Sequence, residues 1–155
     1  MILGGDLGGT KTLLALAETV AGEIRIVRQQ RYASADYPSF DALLGEFLAG
    51  APAIESACFG LAGPTDGQDA QLTYLPWRLS ASELGRRFGI ARVALANDFA
   101  AAAHGLPLVA AEQVLTLHAG RPLARAPRVI LGAGTGLGVA GLVWERNSYR
   151  VIPGE

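Results

Sequence analysis

One pattern constrains this chain more than any other, and it occurs twice: an apolar run, a glycine-rich turn, and an apolar run that returns. The first copy is ILGGDLGGTKTLLALA from Ile2, and the second is ILGAGTGLGVAGLV from Ile130. Glycine reverses a chain at no steric cost, so each copy reads as two strands joined by a tight turn. Two halves built on one plan explain the echo, and chance likeness between two glycine-rich hairpins is the alternative. Glu23 to Tyr32 continues the first copy with Ile24 and Ile26 at alternating positions, which predicts three consecutive antiparallel strands at the start of the chain.

Downstream the period changes. Phe40, Leu43, Leu44, Phe47 and Leu48 fall at helical spacing, with Pro38 suited to the first turn and Gly50 beyond the end. Ile54 to Ala62 predicts a buried strand and Ala70 to Thr73 a short one. Ser80 and Glu83 form an S-x-x-E capping box for a helix that Gly89 ends. Arg92 to Ala96 then predicts a strand, Asp98 to Gly105 an alanine-rich helix, and Arg128 to Leu131, Val139 to Trp144 and Tyr149 to Ile152 the closing strands.

Half of the 155 residues are hydrophobic and 17% are charged, enough for a real core. The 13 basic and 14 acidic residues leave a net charge of -1 with no basic block, which argues against nucleic acid and anionic membrane as partners. Cys58 is the single cysteine and lies in the apolar run ACFGLAG, where a core position is expected. No basic leader or long apolar stretch is present, so a cytoplasmic location is expected. His104 and His118 lack the partners of a metal site; Trp77 and Trp144 read as packing, and Arg86 and Arg87 as a solvated helix face.

The glycine turns carry the chemistry. A phosphate needs many donors at close range, and backbone N–H groups reach it where no Cβ intervenes. Gly8, Gly9 and Thr10 offer such amides, the Thr10 hydroxyl adds a donor, Lys11 adds charge, and the Asp6 carboxylate can hold Mg²⁺ directly or through water. The spacing is not that of a P-loop, because Thr10 separates Gly9 from Lys11. It is not a dinucleotide fingerprint either, because Gly132, Gly134, Gly136 and Gly138 alternate strictly and lead into strand-like VAGLV. Asn97 and Asp98 end a short strand and begin a helix; they suit a helix N-cap as well as a catalytic carboxylate at a strand's C-terminal end.

Taken in order, GGDLGGTKT, DYPSF, GLAGPTDG, PWRLS, ANDFAAAAHG, GAGTGLGVAGLV and the final PGE resemble the bacterial glucokinases, members of the ATPase superfamily that includes hexokinase and actin. The resemblance implies an α/β, ribonuclease-H-like domain over 1–110: a mixed sheet with its first three strands antiparallel, flanked by helices. A second domain would begin within 111–155. It implies ATP-dependent phosphorylation of glucose at its 6-hydroxyl, with ATP and Mg²⁺ required and a homodimer at full length. Carried over by position, Gly5, Asp6, Leu7, Gly8, Gly9, Thr10 and Lys11 form the first phosphate hairpin, with Asp6 near Mg²⁺. Gly134, Thr135 and Gly136 form the second. Asn97 and Glu155 bind sugar hydroxyls, and Asp98 is the general base and also touches the sugar.

Two departures stand out. Thr73-Tyr74 replaces the family's common Thr-Asn before the tryptophan, and the chain ends at about half the family's usual length, which implies a fragment with little activity alone. A kinase for another hexose, or a sugar-binding regulator without transferase activity, are the alternative readings.

Overall fold

The computed structural model describes residues 1–133 and 137–154. The chain divides into two compact units, Met1–Asp98 and Phe99–Glu155.

The first unit begins with β1 (Ile2–Leu7), β2 (Lys11–Val20) and β3 (Glu23–Ala33), antiparallel neighbours as expected. α1 (Phe40–Phe47) crosses over to β4 (Ser56–Leu61), which pairs parallel with β1. A small hairpin of β5 (Asp69–Gln71) and β6 (Arg78–Ser80) leads into α2 (Ala81–Phe88) and then β7 (Arg92–Asn97), parallel to β4. The resulting five-stranded mixed sheet runs β3-β2-β1-β4-β7.

Strand alternation sends one set of side chains to the helices. Leu3 and Leu7 of β1, Leu14 and Leu16 of β2, Phe59 and Leu61 of β4, and Leu95 of β7 are buried with Phe40, Leu43, Leu44 and Phe47 of α1 and Leu84 of α2. Phe40 meets Phe59 edge to face at 4.9 Å between ring centres. Trp77 is buried beside Phe40 and donates its Nε1 hydrogen to the Tyr37 carbonyl at 3.3 Å, in keeping with a packing role.

Three local expectations are corrected. Cys58 is exposed, because Ala57, Phe59 and Leu61 take the covered side of β4 and alternation turns Cys58 to the other, in a row with Gly4 and Ala94. The Ser80 side chain makes no cap: Ser80 is also the last residue of β6, and its hydroxyl bonds Ser82 Oγ at 3.1 Å. Pro38 lies outside α1, whose N-cap is Ser39, its Oγ accepting from Ala42 N at 3.2 Å. Gly89 ends α2 in the left-handed conformation, as expected.

The second unit holds α3 (Asp98–Gly105, its first residue closing the first unit) and an antiparallel meander of β8 (Arg128–Ala133), β9 (Leu137–Glu145) and β10 (Ser148–Pro153). Ala103 of α3 packs with Ala140 and Leu142, joined by Phe99, Ile130, Tyr149 and Val151. Trp144 packs edge to face on Tyr149 at 5.0 Å. The strand-turn-strand echo of the sequence thus holds in topology: each unit contains a three-stranded meander.

Candidate active site

In the first unit, β1, β4 and β7 run parallel and end level, with Leu7 opposite Leu61 and Leu61 opposite Asn97. Strands lie ~4.8 Å apart, so the turn after β1 and the Asn97–Asp98 step after β7 lie roughly 10 Å from each other along one edge. The carboxyl edge of parallel strands is where open α/β sheets hold ligands.

The turn from Gly8 to Thr10 is held on several sides. Gly8 N–H donates to the Lys11 carbonyl at 3.0 Å. Ser34, which follows β3, donates its N–H to the Thr10 carbonyl at 3.0 Å and its hydroxyl to the Gly8 carbonyl at 2.9 Å. Tyr74 stands against Gly9, so closely that a Cβ there would lie 2.7 Å from Tyr74 Cβ. Tyr74 is itself 64% exposed, while its neighbour Thr73 is tied to the Ala62 carbonyl through N–H and hydroxyl at 3.5 and 3.4 Å. Thr10 and Lys11 are open to solvent. Gly5 and Leu7 face the core: a Cβ on Gly5 would meet Phe59 Cδ1 at 2.7 Å, and Leu7 is fully buried, which leaves their main chain for any contact with a ligand.

Asp6 reaches solvent at this edge. Partial desolvation raises its carboxyl above the ordinary carboxylate range, and the negative charge of Asp98 raises it further. The Asp98 charge therefore reaches Asp6 although 92 residues separate the two in the chain. Asn97 and Asp98 are half-buried where β7 gives way to α3. A carboxyl held above its usual range by desolvation and a like charge is the situation that a hard divalent cation relieves, and carboxylate oxygens are the donors Mg²⁺ prefers.

Gly134, Thr135, Gly136 and Glu155 lie outside the described residues. The flanking Gly132 and Gly138 have a structural use: they pair across β8 and β9, and the Phe99 ring stands where their side chains would be, with a Cβ on Gly138 falling 1.7 Å from Phe99 Cε2. An open trough of about 860 Å³ along β5 and β6 includes none of these site residues. One of its carboxylates is already engaged, since Asp66 Oδ1 accepts from Gln68 N and Asp69 N at 2.9 and 2.8 Å.

Ser34, Tyr74 and Phe99 are the residues that sequence reasoning missed. Tyr74 left a trace as a departure from the family pattern. Ser34 and Phe99 left none, because each works through partners far away in the chain.

A family model for glucokinase matches residues 3–155. The chain is 40% identical over 158 residues to the glucokinase of Nostoc punctiforme, an alignment covering 100% of this chain and 46% of that protein. The crystal structure of a glucokinase from an Antarctic psychrotroph superposes with a TM-score of 0.85 at 33% identity, over 99% of this chain and 49% of the other. That of Balamuthia mandrillaris glucokinase in complex with glucose does so at 0.75 and 25% identity, over 99% and 47%. The chain spans about half the length of the curated relatives it matches. With 153 of its residues inside the family model and the glycine turn and acid pair on one edge of its sheet, the chain belongs to the glucokinase family.

Proposed function

We propose that these residues form the base-bearing half of an ATP-dependent glucokinase, which moves the γ-phosphoryl group of ATP to the 6-hydroxyl of glucose. The observation that carries the reading is geometric: β1, β4 and β7 run parallel and end level, which sets Asp6 and the Gly8–Thr10 turn on the same sheet edge as Asn97 and Asp98. In this reading Asp98 accepts the hydroxyl proton as the new O–P bond forms, and ADP leaves. Asn97 and Glu155 hold sugar hydroxyls. The amides from Gly5 to Lys11 and those of Gly134, Thr135 and Gly136 cradle phosphates.

Asp6 would hold Mg²⁺, most simply through water, and the ion would supply neutralising charge to the phosphates. The sheet order β3-β2-β1-β4-β7 supports assignment of the first unit to the ribonuclease-H-like fold of the actin-type ATPases. In the whole enzyme we keep the domain division at 1–110 and 111–155, so that α3, which begins with Asp98, travels with the strand ending in Asn97. Closure of two lobes on glucose would keep water from competing as acceptor. We place the enzyme in the cytoplasm as a homodimer; no helix among the described residues is long and apolar enough to cross a membrane.

The test is a coupled assay on an enzyme of the relatives' full length that carries these 155 residues, with glucose and other hexoses as acceptors and the chain alone in parallel. Glucose should be the preferred acceptor, and the chain alone should show little turnover. Faster turnover of another hexose, or substantial turnover by the chain alone, contradicts the reading.

A further inference from the structure

Thr12 and Ser34 are polar and fully buried, and neither belongs to the phosphate or sugar contacts described above. Their hydroxyls lie 3.0 Å apart. Ser34 has one hydroxyl proton and gives it to the Gly8 carbonyl, which can only accept. Proton counting then makes Thr12 the donor to Ser34 Oγ, which fixes the Ser34 hydroxyl on its target. The same residue's N–H holds the Thr10 carbonyl, so Ser34 grips the turn at both ends.

The consequence falls on Gly9. A trans peptide carries its C=O and N–H on opposite sides, and the chain has no cis peptide among its described residues. With the Gly8 oxygen turned to Ser34, the Gly9 N–H points away from Ser34. A Gly-Gly peptide otherwise rotates at little cost, since neither residue has a Cβ to oppose it.

We infer that Ser34 is a positioning residue for the phosphate turn: it selects the orientation of the Gly8–Gly9 peptide in which the Gly9 N–H is presented to a phosphoryl oxygen. This rests on the reading of the Gly8–Thr10 turn as a phosphate site.

The experiment is a titration of the ¹⁵N-labelled chain with inorganic tripolyphosphate, following amide shifts by NMR, with denaturant midpoints measured alongside. The variants are Ser34→Ala, which frees the Gly8 carbonyl, and Thr12→Val, which removes a buried hydroxyl of the same network but leaves the Ser34 to Gly8 bond. Both lower stability. Wild type should shift the Gly9 amide; Ser34→Ala should lose about tenfold in affinity, the scale of one misdirected hydrogen bond, and Thr12→Val should stay within about twofold. Losses that track stability equally in both variants, or a folded Ser34→Ala with wild-type affinity, overturn the role of Ser34 and leave the phosphate site standing. A wild-type chain whose Gly9 amide ignores tripolyphosphate removes the phosphate site and this inference with it. Should Ser34→Ala not fold in plain buffer, it is titrated beside wild type in the stabilising osmolyte trimethylamine N-oxide, and a second donor-less variant, Ser34→Gly, is measured the same way; undiminished affinity in either also overturns the inference.

Discussion

The two compact units treat their sheets differently. In Met1–Asp98 the covered side of the sheet is closed by whole helices, and Phe40, Phe47 and Phe59 are sealed from solvent. In Phe99–Glu155 the meander is covered on one side by small contacts, Ala103 and the Phe99 ring, while Val129, Leu131 and Leu137 stand 65 to 66% exposed on the other. The stretch between α3 and β8 repeats the contrast: Leu115 and Leu117 are 81% and 90% exposed in a segment with the alternation of a strand, and no strand pairs with it among the described residues. A sheet that exposes a row of large aliphatics is a half-finished layer, since single domains bury such a face against another element. The first unit, with the larger buried core, is therefore expected to contribute more to the chain's stability than the second.

Substitutions break or sharpen this contrast. The largest effect is expected from Phe59→Ala, which empties the centre of the first core and should cost about 3–5 kcal/mol in a denaturant melt. Gly138→Ala places a methyl on the Phe99 ring and should cost about 1–3 kcal/mol, seen as earlier loss of Trp144 fluorescence, because Trp144 packs in the second unit. If Gly138→Ala proved as damaging as Phe59→Ala, the ranking of the units would be wrong.

That ranking is read from structure, whereas much of the first unit was already legible in the sequence. The alternation around the Gly8–Thr10 turn and the helical spacing from Phe40 to Leu48 are local signals, and both elements form where those signals place them. Cys58 was misread because an apolar run does not say whether both faces of its strand are covered. The Ser80 capping box failed because a motif four residues long competes with strand pairing, and Ser80 is held opposite Asp69 in the β5–β6 hairpin. Ser34 stayed invisible for a different reason: its bonds to Gly8 and Thr12 span 26 and 22 residues, and no short pattern encodes them.

Smaller effects separate the uncovered face from the site. Asp6→Asn should stabilise the isolated chain by up to about 0.5 kcal/mol, the ordinary range for a substitution away from the core. The sign follows from the raised Asp6 pKa: the folded state binds this proton more tightly than the unfolded one, so the ionised group opposes folding at neutral pH. The gain should fade as pH falls through the raised value and vanish below the ordinary carboxylate pKa; thermal melts at both extremes measure it. Leu131→Lys, on the open face of β8, should change the melt by no more than about 0.5 kcal/mol and improve solubility. A large loss would mean that Leu131 is already packed.

The central claim concerns one carboxylate at the end of β7, and steady-state kinetics on a glucokinase of full family length carrying these residues tests it most directly. Asp98→Asn keeps the size and the helix-capping capacity of the side chain but cannot take a proton. The account predicts a fall in kcat of about 10²- to 10⁴-fold with the KM for glucose little changed. A variant that turns over glucose at close to the wild-type rate would contradict it.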